Sequence, residues 1–269
     1  MVTAGTTLLR AEGLAYTYPG PVRALDGVDL ELAAGELLVI CGPNGSGKST
    51  LLRLLSGLLT PERGAVQLGG EALAGLPPRR RARAVTRVPQ SLRSLPDVSV
   101  EDFALSGRYA HIDRWRGPSE ADRRAVAEAL AATDAADLGG RPLAAVSGGQ
   151  RQRVLVARAV ASEAPVLLVD EPTTGLDPEH QVRVLELLAG LTCEGRGVVL
   201  VTHDLNLAAQ FATSMLLLAD GRVVTRGTPA EVLRPEVLVP VYGERLHFGE
   251  ADGRRFVLPW RDLRGGTDP

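Results

Sequence analysis

Leu37-Leu38-Val39-Ile40-Cys41-Gly42-Pro43-Asn44-Gly45-Ser46-Gly47-Lys48-Ser49-Thr50 runs from an unbroken apolar stretch through a glycine-rich turn into a segment, residues 49–58, with helical apolar spacing. A short apolar run closed by glycine reads as a buried strand, so the order here is strand, loop, helix. The loop fits the spacing G-x-x-x-x-G-K-[ST], with Gly42, Gly47, Lys48 and Ser49 in the fixed places. Such a loop turns its backbone N–H groups inward around phosphate oxygens, and the helix that follows aims its positive end at them. Lys48 is placed to neutralise β/γ-phosphate charge and Ser49 to ligate Mg²⁺. Gly42, Pro43, Asn44, Gly45, Ser46, Gly47, Lys48, Ser49 and Thr50 are therefore candidate nucleotide contacts. The chain carries 30 lysines and arginines, and Lys48 is its only lysine, the other 29 being arginine. A sequence that uses arginine everywhere else keeps a compact ammonium at this one place.

Working outward, residues 8–32 show short alternating runs broken at Tyr18-Pro19-Gly20 and Asp26-Gly27, which predicts antiparallel strands and hairpins. Further strands are expected over residues 65–68, 84–89, 166–169 and 198–201, with helices over 147–162, 178–191 and 205–212. Strands alternating with helices imply a parallel sheet with helices packed on it. Residues 97–138 break that alternation and read as a run of helices, 121–132 being the clearest. Residues 215–218 and 222–226 form a strand pair across Asp220-Gly221. A short helix is expected over 230–242, then a hairpin pairing 245–248 with 255–258, and residues 264–269 are expected to fray.

Among 269 residues, 45% are hydrophobic and 23% charged, enough for one large domain with a full core. The net charge of -2 gives no bulk electrostatic case for nucleic acid or an acidic membrane surface. No apolar run approaches the ~20 residues that span a bilayer. The N-terminus lacks signal-peptide features, so the chain is expected to stay in the cytosol and to reach a membrane only through a partner. Cys41 and Cys193 form neither a disulfide framework nor a metal cluster, and Cys41 reads as a small buried residue.

Two more segments carry chemistry. Val166-Leu167-Leu168-Val169-Asp170-Glu171 is a buried strand ending in paired carboxylates. Successive strand side chains point opposite ways, so Asp170 can serve the Mg²⁺ shell and Glu171 an attacking water. In Ser147-Gly148-Gly149-Gln150, Ser147 is a good helix N-cap and the glycines allow close backbone approach, which makes a second anion-binding helix start.

With these three segments the chain resembles the ATP-binding cassette (ABC) ATPases over residues 8–258. The resemblance implies an α/β fold: a P-loop NTPase core with a parallel sheet, an N-terminal antiparallel β subdomain and an inserted α-helical subdomain. The ATPase domain would cover residues 7–242, with the helical subdomain at about 92–160, and residues 243–269 would form a C-terminal β extension and tail. It implies that Ser147, Gly148, Gly149 and Gln150 reach the γ-phosphate held by the loop of a second copy, in a head-to-tail homodimer closing on two ATP molecules. Tyr18 is similar to the aromatic that stacks on adenine, with Tyr16 as competitor. Gln90 resembles the glutamine that touches Mg²⁺ and senses a membrane partner. Gly175-Leu176-Asp177 resembles the loop joining the two active sites, and His203 the switch histidine at the γ-phosphate. Catalysis would rest on Glu171, His203 and Lys48, and metal binding on Ser49, Gln90 and Asp170. His111, His180 and His247 receive no catalytic role.

The implied cofactors are ATP and Mg²⁺. The implied partners are a second ATPase subunit, integral-membrane permease subunits and, indirectly, a substrate-binding protein, with no nucleic acid, at the cytoplasmic face of the membrane. Ser106-Gly107-Arg108-Tyr109-Ala110-His111 resembles the G-R-x-P-H stretch of iron–siderophore, haem and cobalamin importer ATPases, with Ala110 in place of proline. His203-Asp204-Leu205-Asn206-Leu207-Ala208 matches that subfamily's H-D-L-N-x-A, and Val241-Tyr242-Gly243 with Phe256-Val257-Leu258-Pro259 resembles its closing strands. Thr173-Thr174 departs from the subfamily's Asn-His or Ser-His. Zinc or manganese importers, exporters and non-transport ABC proteins of ribosomes or DNA are the alternatives. Residues 86–145 are expected to dock the permease, with Arg108, Arg114 and Arg116 on a solvated or docking face.

Overall fold

A computed structural model describes residues 5–20, 22–92 and 94–260 of the chain, so the expected fraying of 264–269 lies outside the described residues. The chain opens with β1 (Thr7–Thr17) and β2 (Arg23–Ala33), antiparallel across the Tyr18-Pro19-Gly20 break. The second expected break, at Asp26-Gly27, is not a break. Leu14 pairs with Val28 and Ala15 with Asp26, so Gly27, at φ 74°, is the extra residue of a bulge inside β2. β3 (Leu37–Cys41) leads through the glycine-rich loop to α1 (Lys48–Leu55). This helix stops earlier than the expected residue 58 because Gly57 turns left-handed at φ 71°.

β4 (Arg63–Leu68) and β5 (Glu71–Ala72) complete a four-stranded sheet in the order β2-β1-β4-β5. α2 (Pro78–Ala84) then precedes β6 (Val85–Val88). The sequence pattern did not predict α2, a helix with no buried residue and hence no apolar stripe to read. The helical insertion follows: α3 (Val100–Leu105), α4 (Glu120–Ala132) and α5 (Gly148–Ala161), with short 3₁₀ turns between them. Ser119 and Ser147 cap α4 and α5 with reciprocal capping boxes.

β7 (Val166–Asp170), α6 (Pro178–Cys193), β8 (Gly197–Val201), α7 (Leu205–Ala209), β9 (Ser214–Ala219) and β10 (Arg222–Gly227) restore the α/β alternation. The main sheet has the order β10-β9-β3-β8-β7-β6, parallel throughout except for the antiparallel edge β10. Its middle strands are buried on both faces, which explains their unbroken apolar runs. Alternate residues feed two cores. Leu37 and Val39 face the helical insertion and α6, while Leu38 and Ile40 face α1 and the four-stranded sheet.

The expected helix over 230–242 is two helices, α8 (Pro229–Val232) and α9 (Pro235–Tyr242), because Pro235 cannot continue the first. β11 (Leu246–Ala251) and β12 (Arg254–Pro259) form the closing hairpin, longer than the four-residue strands expected. Asn206 in α7 grips it: Asn206 Nδ2 donates to Val257 O, and Val257 N donates to Asn206 Oδ1, both at 2.8 Å.

Candidate active site

All the strands that end at the site are parallel, so their C-terminal ends deliver β3, β6, β7 and β8 to one edge of the sheet. The glycine-rich loop lies there. Gly42 has φ 150°, and a Cβ built on it would sit 2.0 Å from Leu218 O; one on Gly47 would sit 2.4 Å from Ala24 O. Both positions exclude any side chain. Gly47 is the left-handed N-cap of α1 and no side chain caps that helix, so its first N–H groups remain for an anion. Lys48 is 8% exposed, and its ammonium donates to Gly42 O at 2.7 Å and Pro43 O at 2.8 Å. Burial lowers its pKa, against the opposing pull of Glu171, Cys41 and Asp170. Behind the loop, burial pushes the Cys41 thiol up to about 12, so it is the inert core residue expected.

Asp170 ends β7 at 3% exposure, and Ser49 Oγ lies 3.4 Å from its Oδ1. The next residue, Glu171, has φ 48°, which turns the chain sharply out of the strand. Its Oε2 collects three predicted or neighbouring groups: Gln90 Nε2 at 2.9 Å, Thr174 Oγ1 at 3.2 Å and His203 Nδ1 at 3.5 Å. Gln90, Glu171 and His203, 113 positions apart at the extremes by their numbers, therefore meet at one carboxylate oxygen. Thr174 was singled out in the sequence only as a departure; here it is a direct partner of Glu171.

Tyr18 receives Arg53 Nη1 on its hydroxyl at 2.9 Å and lies 3.2 Å from Thr50 Oγ1. Tyr16 meets it edge-on, centroids 5.1 Å apart, and packs against the core. A cavity of about 610 Å³ beside the loop is lined by Tyr18, Ser49, Arg53, Arg87, Gln90 and Asp170. Arg87 was not anticipated; its Nη2 donates to Asp170 Oδ2 at 3.0 Å.

Ser147 accepts Gln150 N at 3.2 Å, and Gln150 Oε1 accepts Ser147 N at 2.9 Å. Ser147 and Gly148 are exposed, and this turn makes no hydrogen bond to residues 42–50 of its own chain among the described residues. It packs instead on residues 175–176: a Cβ on Gly149 would stand 3.3 Å from Leu176 Cδ2. Asp177 caps α6, accepting His180 N at 3.0 Å and pairing with His180 Nδ1 at 2.7 Å. The backbone N–H of His180, then its ring, hold the Asp177 carboxyl below its ordinary pKa.

Arg108 corrects one expectation. It is buried at 6% exposure, not on a docking face. Its Nε donates to Asp122 Oδ1 at 2.9 Å and its Nη1 to Ala161 O at 3.0 Å and Glu163 Oε2 at 2.5 Å. Arg114 and Arg116 are exposed, beside Trp115 at 91% exposure. No helix among the described residues is long and apolar enough to cross a membrane.

The family model described as ABC transporter matches residues 25–174. The haem import ATP-binding protein HmuV of Pseudomonas aeruginosa is 44% identical over 88% of this chain and 92% of its own length. The ferric enterobactin transport ATP-binding protein FepC of Escherichia coli is 38% identical over 91% of this chain and 90% of its own. The cobalamin import ATP-binding protein BtuD of Halobacterium salinarum is 40% identical over 89% of this chain, which spans only 61% of that relative. Among solved structures, a chain of a transporter assigned to the metal-chelate ABC type, in an inward-facing conformation, superposes with TM-score 0.80 at 30% identity, covering 96% of this chain and 99% of that one. A dimeric bacterial ABC transporter cassette superposes with TM-score 0.75 at 30% identity, covering 82% and 99%.

Proposed function

The chain belongs to the ABC transporter ATP-binding family, and we propose that it is the ATP-hydrolysing subunit of an importer for an iron–siderophore, haem or cobalamin-type cargo. One observation carries the ATPase reading: Gln90, Thr174 and His203 converge on Glu171 Oε2 at the mouth of the glycine-rich loop. A carboxylate held there is placed to orient or deprotonate the water that attacks a γ-phosphate in line. Lys48 would leave its loop carbonyls for the β/γ oxygens, since a phosphate outbids a neutral carbonyl for an ammonium. His203, at 69% side-chain exposure, is free to turn toward the same oxygens. Ser49 Oγ and Asp170 Oδ1 are paired hard oxygen donors, the set that suits Mg²⁺, with Gln90 beside them. Mg²⁺ when bound supplies charge neutralisation across the β- and γ-phosphates. Tyr18, whose ring borders the cavity while Tyr16 packs into the core, is the adenine platform.

The Ser147–Gln150 turn is the part that needs a second copy. Its exposed, capped helix start points no hydrogen bond at its own loop and packs on residues 175–176. A solved cassette of the same fold is dimeric, which supports a pair; in the arrangement proposed, head to tail, each turn meets the other copy's nucleotide. Membrane attachment would come through permease subunits, docked near a cavity of about 600 Å³ lined by Leu58, Arg81, Arg87, Gly107, Tyr109 and Arg158. The cargo class rests on the names of the relatives and on the Asn206 and Arg108 motifs, whose structural roles are now visible. Co-purification with a permease that stimulates ATP hydrolysis tests the transport reading. In the same complex Glu171→Gln should bind ATP normally and lose roughly 10²–10⁴-fold in turnover; wild-type turnover in that variant removes Glu171 from the chemistry.

A further inference from the structure

Arg87 lies in β6 opposite Leu168 of β7, just behind the carboxylate that ends β7. Its guanidinium takes Asp170 Oδ2 at 3.0 Å, with the two side chains 18% and 5% exposed. The other oxygen, Oδ1, faces Ser49 Oγ. Among the described residues Arg87 Nε is buried without a partner, and the side chain's hydrogen bond there is the one to this carboxylate. The residue also lines both cavities, the one beside the loop and the one of about 600 Å³ across β6.

Charge balance gives this pair a consequence. Lys48, Arg53 and Arg87 face Asp170 and Glu171 around this cavity, so the site by itself holds no excess negative charge to draw a free cation. A free divalent cation would add two positive charges next to a half-buried guanidinium, in surroundings where charges a few ångströms apart interact strongly. Metal arriving with nucleotide adds net negative charge instead, and a displaced guanidinium has room in the cavity across β6.

We propose that Arg87 is a positioning residue that holds the Asp170 carboxylate against free divalent metal, so that metal enters this site with nucleotide and not alone. The inference rests on the reading of Asp170 as the metal carboxylate. Arg87 touches neither the water nor the phosphate in this scheme; it acts through Asp170.

The test uses Mn²⁺ as a paramagnetic probe, titrated by electron paramagnetic resonance into the full chain, alone and with a non-hydrolysable ATP analogue. Wild type is compared with Arg87→Met, Asp170→Asn and the double variant, with Arg87→Gln in reserve should the apolar replacement fail to fold. Removing the guanidinium is expected to tighten nucleotide-free Mn²⁺ binding on the order of tenfold, and the gain is expected to vanish in the double variant. With nucleotide present, Arg87→Met is expected to change Mn²⁺ affinity far less. Unchanged or weaker nucleotide-free binding in Arg87→Met and Arg87→Gln overturns the proposal, weaker binding meaning that Arg87 orients the carboxylate for metal. If Asp170→Asn leaves Mn²⁺ binding with nucleotide intact, the metal assignment beneath the proposal falls as well.

Discussion

Asn206→Ala should release the C-terminal hairpin while leaving the sheet intact. The side chain makes a two-point clamp on Val257, with both bonds at 2.8 Å. It serves as one more rung of a ladder, with an amide side chain in place of a strand. Each bond contributes about 1 kcal/mol net, so losing both removes about 2 kcal/mol. Val257 is 5% exposed, and its stranded N–H and C=O raise the cost further unless the hairpin opens to water. Opening is therefore the relief, and about 2 kcal/mol is roughly thirtyfold in the local opening equilibrium. Amide hydrogen exchange reads this directly. Val257, bonded to Asn206, and Phe256 and Leu258, bonded across the hairpin, should exchange roughly thirtyfold faster, while amides of β7 and β8 keep their protection. Asn206→Asp, which keeps the acceptor and loses the donor, should fall between. Exchange in β12 that matches wild type, or that rises equally in β7, would refute the clamp.

Arg108→Ala should cost on the order of 3–5 kcal/mol, because it strands the Asp122 carboxylate at 6% side-chain exposure. Differential scanning calorimetry should then show a melting temperature lower by on the order of 10 °C, whereas Glu163→Ala, removing the half-exposed partner, should change little. Asp177 has a folded pKa below its unfolded value, so its contribution is full above the ordinary carboxylate range and is lost as pH falls through the folded value. Asp177→Asn keeps a helix cap but not the charge, so its urea midpoint should lie below wild type near pH 7, and the gap should close as pH falls below about 4.

Much of the site was legible because its residues sit next to the features that make motifs. Gly42 and Gly47 of the glycine-rich loop are forced by close approach to Leu218 O and Ala24 O, so they appear as glycine at fixed spacing. Asp170 and Glu171 end a strand buried on both faces, which leaves an apolar run that stops at two acids. What the pattern hid were partners that meet only through the parallel sheet. Arg87 reads as one arginine among 29, and its tie to Asp170 depends on β6 pairing with β7 across 83 positions. Thr174 looked like a neutral departure until Glu171 turned back toward it through a left-handed φ. Arg108 looked like surface charge because its partners Asp122 and Glu163 come from α4 and the turn after α5. The fold showed the same division. Strands of the main sheet announced themselves, whereas α2, with no buried side chain, and the bulge at Gly27 carry no periodicity to read.

If half of each active site belongs to a second copy, ATP must bring two chains together, and sedimentation reads this directly. Glu171→Gln, which should hold ATP without hydrolysing it, is run with ATP and with ADP, alone and with Ser147→Arg added. A dimer carrying two ATP molecules is expected, absent with ADP and absent once Ser147 is replaced. A monomer that binds ATP fully, or a dimer indifferent to Ser147→Arg, would contradict it.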